Sequence, residues 1–212
     1  MKLKLTDLPV LYINLDRDNE RRLRLENFLG DLGFKNITRV PGKETAIGKE
    51  GCAYAHAEAL SMIEPPFILF EDDCVPLSFL DEIEIPDDAD ALYLGVSSWG
   101  RMNSHSGPFN QYEQIDNNLL RVYNMVGAHA ILYLTEEYTS LCRRIAEHGY
   151  NIQDHHDIGF AEVQKYFNVY SVDDPMFFQT SSAEATNKKL TSYPTEECFM
   201  YNRRYWLPLR VY

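Results

Sequence analysis

Four apolar residues without a polar break, Phe67-Ile68-Leu69-Phe70, run directly into Glu71-Asp72-Asp73 and then Cys74. An unbroken apolar run of this length predicts a strand covered on both faces, with the three carboxylates delivered at its carboxyl end. A second strand is predicted from Val10 to Leu15, ending in Asp16-Arg17-Asp18. Leu25, Phe28, Leu29 and Leu32 then recur at helical spacing, with Asp18 suited to the N-cap and Gly33 to the stop. Ile37 to Val40 reads as a short strand closed by Pro41-Gly42, and Gly51 to Ile63 as a helix of small residues that Pro65-Pro66 ends. After the acidic strand end comes an acidic surface segment through Asp90, then an apolar strand, Ala91 to Val96, entering Ser97-Ser98-Trp99-Gly100. Strands alternating with helices predict a mostly parallel sheet covered on its faces.

The middle of the chain interrupts this alternation. Gln111 to Ile115 and Leu119 to Tyr123 flank Asp116-Asn117-Asn118, which predicts an inserted hairpin. Ala128 to Leu134 reads as a further strand, and Thr135 caps a helix carrying Leu141 and Ile145, with Gly149 as its stop. Asp154 and Asp157 form an acidic helix start for Ile158 to Phe167, and Val169 to Val172 is a last short strand. The polar stretch from Ser181 to Tyr193 predicts a mobile loop or a lid, and the tail from Cys198 to Tyr212 turns aromatic and basic.

A chain of 212 residues suffices for one sizeable core, so one domain is expected. Lys and Arg number 20 against 32 Asp and Glu, a formal charge of -12, and no segregated basic patch is visible, which argues against nucleic acid or an anionic membrane as partner. No apolar run approaches the roughly 20 residues of a membrane span, and the amino terminus lacks a signal peptide's apolar segment, so a soluble, cytosolic protein is expected. Cys52, Cys74, Cys142 and Cys198 form no CxxC pair and read as reduced core thiols rather than a zinc knuckle. The 14 tyrosines would suit stacking on sugars or bases, although ordinary cores use them too.

Three adjacent carboxylates cannot all be buried ionised without a cation, so Glu71-Asp72-Asp73 is either fully solvated or holds a metal. An oxygen-only donor set suits Mg²⁺ or Mn²⁺, which bound through one or two carboxylates completes its shell with water and substrate phosphates. With no GxxxxGK[ST] and no GxGxxG to cradle phosphate, nucleotide-sugar or nucleotidyl chemistry remains.

Tyr12-Ile13-Asn14-Leu15-Asp16-Arg17 with Glu20-Arg21-Arg22, Gly51-Cys52 followed by His56, and the strand ending in Glu71-Asp72-Asp73 resemble, in this order and spacing, glycosyltransferase family 25, the lipopolysaccharide-type sugar transferases. Gly127-Ala128-His129-Ala130 and the Asp157 region are similar more loosely. The chain departs at Ala55, where that family has Ser. The resemblance implies a GT-A-like α/β fold, a mostly parallel twisted sheet flanked by helices, in which a DXD-like motif binds the metal of a nucleoside-diphosphate sugar. It implies Asp73 as the Mn²⁺ (or Mg²⁺) ligand, Glu71 bonding the ribose or assisting at the metal, Asp72 beside them, and Asn14, Leu15, Asp16 and Arg17 lying along the nucleotide.

The bland alternatives stand beside these roles. Asp16 and Arg17 also read as a capping and salt-bridging pair. Arg21 and Arg22 read as a solvated helix face, although Arg21 lies one turn after Arg17 and could reach a phosphate. His56 reads as a packed core histidine, and Trp99 as either a sugar-stacking face or a buried core side chain. In Gln153-Asp154-His155-His156-Asp157 the aspartates suit helix capping. An inverting transfer needs a carboxylate to take the acceptor hydroxyl's proton, this acidic helix start is a suitable place for it, and Asp157 is the candidate base; His155 or His156 could instead complete a metal shell. The expected function is metal-dependent transfer of a sugar from a nucleotide sugar, a UDP-sugar, to a glycan or glycoprotein hydroxyl. The alternatives are a sugar nucleotidyltransferase and a non-catalytic carbohydrate-binding module holding Ca²⁺.

Overall fold

The computed structural model describes residues 1–97, 99–102, 105–107, 110–152, 155–180 and 207–208. Its first half runs β1 (Lys2–Lys4), β2 (Val10–Asn14), α1 (Asn19–Asp31), β3 (Ile37–Pro41), α2 (Gly48–Met62), β4 (Phe67–Glu71), β5 (Cys74–Pro76), β6 (Glu82–Glu84) and β7 (Ala91–Tyr93). The second half runs β8 (Gly100–Met102), β9 (His105–Gly107), β10 (Gln111–Gln114), β11 (Leu119–Val122), β12 (Ala130–Tyr133), α3 (Glu136–Ile152), α4 (His156–Val163), β13 (Val169–Val172), β14 (Phe177–Gln179) and β15 (Leu207–Pro208).

The continuous apolar runs become central strands for the reason the pattern suggests. Phe67 to Phe70, Ala91 to Tyr93 and Ala130 to Tyr133 are buried at every position, as strands covered on both faces must be. Nine strands among the described residues form one sheet in the order β15-β10-β11-β13-β7-β12-β4-β2-β3. Seven of them run in the same direction and β11 and β12 are reversed, so four neighbouring pairs are parallel and four antiparallel, and the sheet is mixed rather than mostly parallel as expected. The β10–β11 hairpin forms as expected, and it extends this sheet rather than standing apart from it.

Two consequences of the topology place the candidate site. β2 pairs in parallel with β4, which brings Asn14 and Glu71 to the same edge of the sheet. Because β12 is reversed, its amino end reaches that edge too, and the amide of Glu71 donates to the carbonyl of His129 at 2.9 Å. β7 ends early for a related reason. The carbonyl of Leu94 accepts from the amides of Met176 and Phe177, which draws the expected strand Ala91 to Val96 away from the main ladder and towards β14. β14 is held in turn by packing of Phe177 on Phe70 at 4.9 Å in an edge arrangement and on Phe28 at 6.3 Å, pairs that each contribute about 0.5–1.5 kcal/mol beyond area burial.

Several helix ends differ from the sequence expectation. Asp18 occupies the N-cap position of α1 but its side chain makes no capping hydrogen bond. Gly33 takes the left-handed conformation at φ 97° just after the helix, as its role as a stop requires. α2 begins three residues early, at Gly48. α3 runs through Gly149 to Ile152, because packing against α2 outweighs the roughly 1 kcal/mol cost of one interior glycine. α4 starts at His156, with His155 as the capping residue and no side-chain cap, so Asp157 lies in the first turn rather than at the cap. Asp154, the segment from Ser181 to Tyr193 and the tail from Cys198 lie outside the described residues, apart from Leu207–Pro208, which pairs with β10.

The acidic segment before Asp90 is more structured than a surface run. β6 pairs with β1, and Ile85 and Ala89 are buried. Asp90 accepts from the Thr135 hydroxyl at 2.8 Å and from the Asn168 amide at 2.7 Å. No helix among the described residues is long and apolar enough to cross a membrane.

Gly51 is needed where α2 meets the preceding loop, since a Cβ there would lie 2.1 Å from the carbonyl oxygen of Lys43. Gly51→Ala gains up to about 1 kcal/mol in helix propensity but meets rigid backbone, at an overpacking cost of about 1–3 kcal/mol. The substitution is expected to lower the urea unfolding midpoint. An unchanged or higher midpoint would show that the loop yields.

Candidate functional site

Asp72 is the most firmly held of the three strand-end carboxylates. Asn14 donates from Nδ2 to Asp72 Oδ2 at 2.6 Å, and Arg21 donates from Nη1 to Oδ1 at 3.0 Å. Both donors are there because β2 and α1 follow one another: Asn14 ends the strand beside β4, and Arg21 sits in the first turns of the helix that follows. Asn14 is itself clamped, accepting from Arg39 Nε at 3.0 Å on its side chain and from Arg39 Nη2 at 2.9 Å on its carbonyl. Burial raises the Asp72 carboxyl above its ordinary value, with Asn14 and Arg21 pulling the other way. Arg21 also keeps a buried nitrogen, Nη2, with no partner among the described residues.

Glu71 faces two ways. Its Oε1 lies 2.9 Å from His56 Nε2, and its Oε2 accepts from Gln179 Nε2 at 2.7 Å. Its carboxyl is pushed well up by burial first and then by the negative charges of Asp157 and Asp72. Asp73 is buried, and its Oδ1 has no hydrogen-bond partner among the described residues. Burial and the adjacent Glu71 push this carboxyl well above its ordinary range, while Gln179 and Arg21 oppose the shift. The amide and the hydroxyl of Thr180 both donate to the Asp73 carbonyl at 2.8 Å, fixing the backbone of the turn.

Behind Glu71 lies a histidine pair. His56 on α2 and His156 on α4 stack with centroids 4.0 Å apart, and Phe160 closes the edge of both rings. Burial lowers His56 to about 3 and depresses His156 as well, so both are neutral at ordinary pH. Cys52, one helical turn before His56, brings its thiol to the same place. One ligand atom each from Cys52, His56, Glu71 and His156 lies within 4.8 Å of all the others. Cys52, Cys74 and Cys142 are free thiols, in keeping with the expectation of reduced core thiols, and Cys52 is half-buried among potential metal ligands. His129, lowered to about 4 by burial, lies at the same sheet edge against Gly95, where a Cβ would fall 1.9 Å from its Nε2.

The structure thus brings Asn14, Arg21, His56, Glu71, Asp72 and Asp73 together, with Asp157 near enough for its charge to act on Glu71 and Cys52. Other candidates are engaged elsewhere. Asp16 pairs with Arg39 at 2.5 Å, Arg17 pairs with Glu44 at 3.7 Å on the exposed surface, and Leu15 packs over Gly42. Trp99 is 51% exposed, which rules out the buried-core alternative and leaves its ring open. Sequence reasoning missed Gln179, Arg39 and the metal-capable role of Cys52. For Cys52 the signal was its i, i+4 spacing to His56 on a helix; for Gln179 there was none, because its partner is 108 residues away.

No protein-family model matches the chain, and no curated protein matches it. Among solved structures, the chain is similar to a nucleoside-diphosphate-sugar pyrophosphorylase from Vibrio cholerae RC9, at 12% identity over 79% of this chain and 73% of that one, with a TM-score of 0.39. At so loose a superposition, the functional reading rests on the geometry of the site.

The raised carboxyls imply a definite pH dependence for chelator-treated protein. A carboxyl whose value is higher folded than unfolded keeps a proton that the unfolded chain releases, so stability falls as pH rises above the unfolded value, 4.5 for Glu71 and 3.8 for Asp73. Each contributes up to about 1.4 kcal/mol per pH unit within its window. Below about pH 6.5 the buried neutral histidines His56, His129 and His156 act in the opposite direction, so it is denaturant unfolding between about pH 7 and pH 8 that is expected to show this decline, and Glu71→Gln to flatten it. A stability that climbs with pH over that range would contradict the assignment.

Proposed function

We propose that this protein is a glycosyltransferase that moves a sugar from a nucleoside-diphosphate sugar, a UDP-sugar, to a hydroxyl of a glycan or glycoprotein acceptor, with Mn²⁺ or Mg²⁺ as cofactor. The observation that carries the reading is Asp73: a buried carboxylate with an oxygen that has no partner among the described residues, at the edge where the parallel strands β2 and β4 end. Open α/β sheets bind ligands at that edge. The motif resemblance over residues 10 to 75 supports the same reading.

The residues present fit a hard divalent cation, since Asp73 and Glu71 offer oxygen donors and a cation would replace the protons that burial and neighbouring carboxylates favour on them. Such a cation offsets the charge that develops on the leaving diphosphate. The chain's own groups do the rest. Asn14 and Arg21 hold Asp72 and with it the turn, and the unpartnered Arg21 Nη2 would donate to a phosphate oxygen on donor binding. The exposed ring of Trp99 offers a stacking face for the sugar. Asp157 accepts the proton of the acceptor hydroxyl as its oxygen bonds to the anomeric carbon and the bond to the diphosphate breaks.

Calorimetry with UDP, with and without Mn²⁺, tests the reading. Metal-dependent UDP binding is expected, and release of UDP on turnover. Release of pyrophosphate would indicate a nucleotidyltransferase, and glycan binding without UDP binding a carbohydrate-binding module. Asp73→Asn removes one anionic ligand at nearly constant size and is expected to leave nucleotide binding weak and insensitive to Mn²⁺; unchanged Mn²⁺ dependence would exclude Asp73 as a ligand.

Asp157→Asn is expected to spare UDP affinity and to lower turnover by about 10²–10⁴. A role limited to favouring the start of α4 would instead cost about 0.3–1 kcal/mol of stability and leave turnover near that of the parent. The two outcomes are separated by measuring kcat alongside the unfolding midpoint.

A further inference from the structure

We propose that Cys52, His56, Glu71 and His156 form a buried binding site for a borderline divalent transition metal of the zinc class, distinct in chemistry from any oxygen-donor site at Asp73. The inference goes beyond the proposed transferase activity and stands without it.

The donor set is the first argument. A thiolate, two imidazoles and one carboxylate oxygen are ligands for zinc or cobalt, whereas Mg²⁺ and Mn²⁺ favour oxygen throughout. Geometry is the second. The four ligand atoms lie within 4.8 Å of one another, and a tetrahedral shell with ordinary zinc bond lengths has edges of roughly 3.3–3.6 Å. The widest separations therefore need to close by about 1–1.5 Å. The ligand arrangement is the third. Cys52 and His56 are one turn apart on α2, the spacing by which a single helix presents two ligands to one metal. The remaining two come from the end of β4 and the first turn of α4, so the shell is drawn from three elements rather than one mobile loop.

Charge and hydrogen bonding complete the case. A dication with one thiolate and one carboxylate, both histidines neutral, makes a shell of zero net charge, which a buried position tolerates far better than an isolated ion. His156 is buried, and its Nε2 has no hydrogen-bond partner among the described residues; His56 Nδ1 is likewise unpartnered. Buried polar atoms in this condition call for an explanation, and a ligand to one histidine supplies it. Glu71 can serve both surroundings, because Oε1 faces His56 while Oε2 faces Gln179.

The full chain, stripped with chelator, is titrated with Co²⁺ and followed by absorption. One equivalent is expected to give the intense visible bands of four-coordinate cobalt together with a thiolate-to-cobalt charge-transfer band in the near ultraviolet, and Zn²⁺ is expected to displace it. Cys52→Ser is expected to abolish the charge-transfer band, and His156→Ala to weaken binding by more than the roughly 10–100-fold that loss of a supporting group costs. Asp73→Asn is expected to leave the spectrum unchanged, which separates this site from the one invoked for nucleotide binding. Absence of stoichiometric binding, a six-coordinate spectrum without charge transfer, or a charge-transfer band that survives Cys52→Ser would each overturn the proposal. Should Cys52→Ser fail to fold, alkylation of the parent protein decides: Zn²⁺ is expected to protect Cys52 from iodoacetamide, and equal labelling with and without Zn²⁺ refutes the site.

Discussion

Three consecutive carboxylates at the end of a fully buried strand are the constraint around which the rest of this molecule is arranged. At an effective dielectric of about 20, two like charges 4 Å apart repel by about 4 kcal/mol, more than the roughly 1.5–3 kcal/mol gained by burying one large apolar side chain. Each member of the trio meets this cost differently. Asp72 is neutralised by Arg21 and bonded by Asn14, Glu71 shares its oxygens between His56 and Gln179, and Asp73 retains an unpartnered oxygen. Every solution recruits a separate element, so β2, α1, α2 and β14 all converge on the end of β4.

The same constraint orders the surrounding shells. Arg39 clamps Asn14, which in turn holds Asp72, and Thr180 fixes the Asp73 backbone while the neighbouring Gln179 holds Glu71. Gly51 and Gly95 have no room for a side chain because α2 and His129 approach so closely. The edge of the sheet is a polar network in which burial and neighbouring carboxylates hold Glu71 and Asp73 above their ordinary carboxyl range.

Much of this was legible in the sequence, and what was not has a physical reason. Unbroken apolar runs announced the central strands, because burial on both faces leaves no polar position, and the turn residues Asp116-Asn117-Asn118 announced the hairpin. The convergence of Asn14 and Glu71 followed from two parallel strands with charged ends. Helix ends were read less well, since α3 continues through Gly149 and α4 begins without a side-chain cap; for α3, packing on α2, which a local pattern does not carry, decided the end. Gln179 was invisible because its meaning lies wholly in a partner far away in the chain. The four-residue spacing of Cys52 to His56 gains significance only when Glu71 and His156 come into place.

That long reach in sequence also sets the order in which the molecule can be completed. The contacts of Glu71 span 15 residues to His56 and 108 to Gln179, while Thr180 reaches 107 residues back to Asp73. On a translating ribosome the acidic strand end emerges long before its last donors do, and chain entropy delays contacts of such separation. A nascent chain halted before α4 can already pair β2 with β4 yet leaves Glu71 and Asp73 without Gln179, Thr180 and His156. The carboxylate edge is therefore among the last parts of the fold to be finished, although its own residues lie in the first half of the chain.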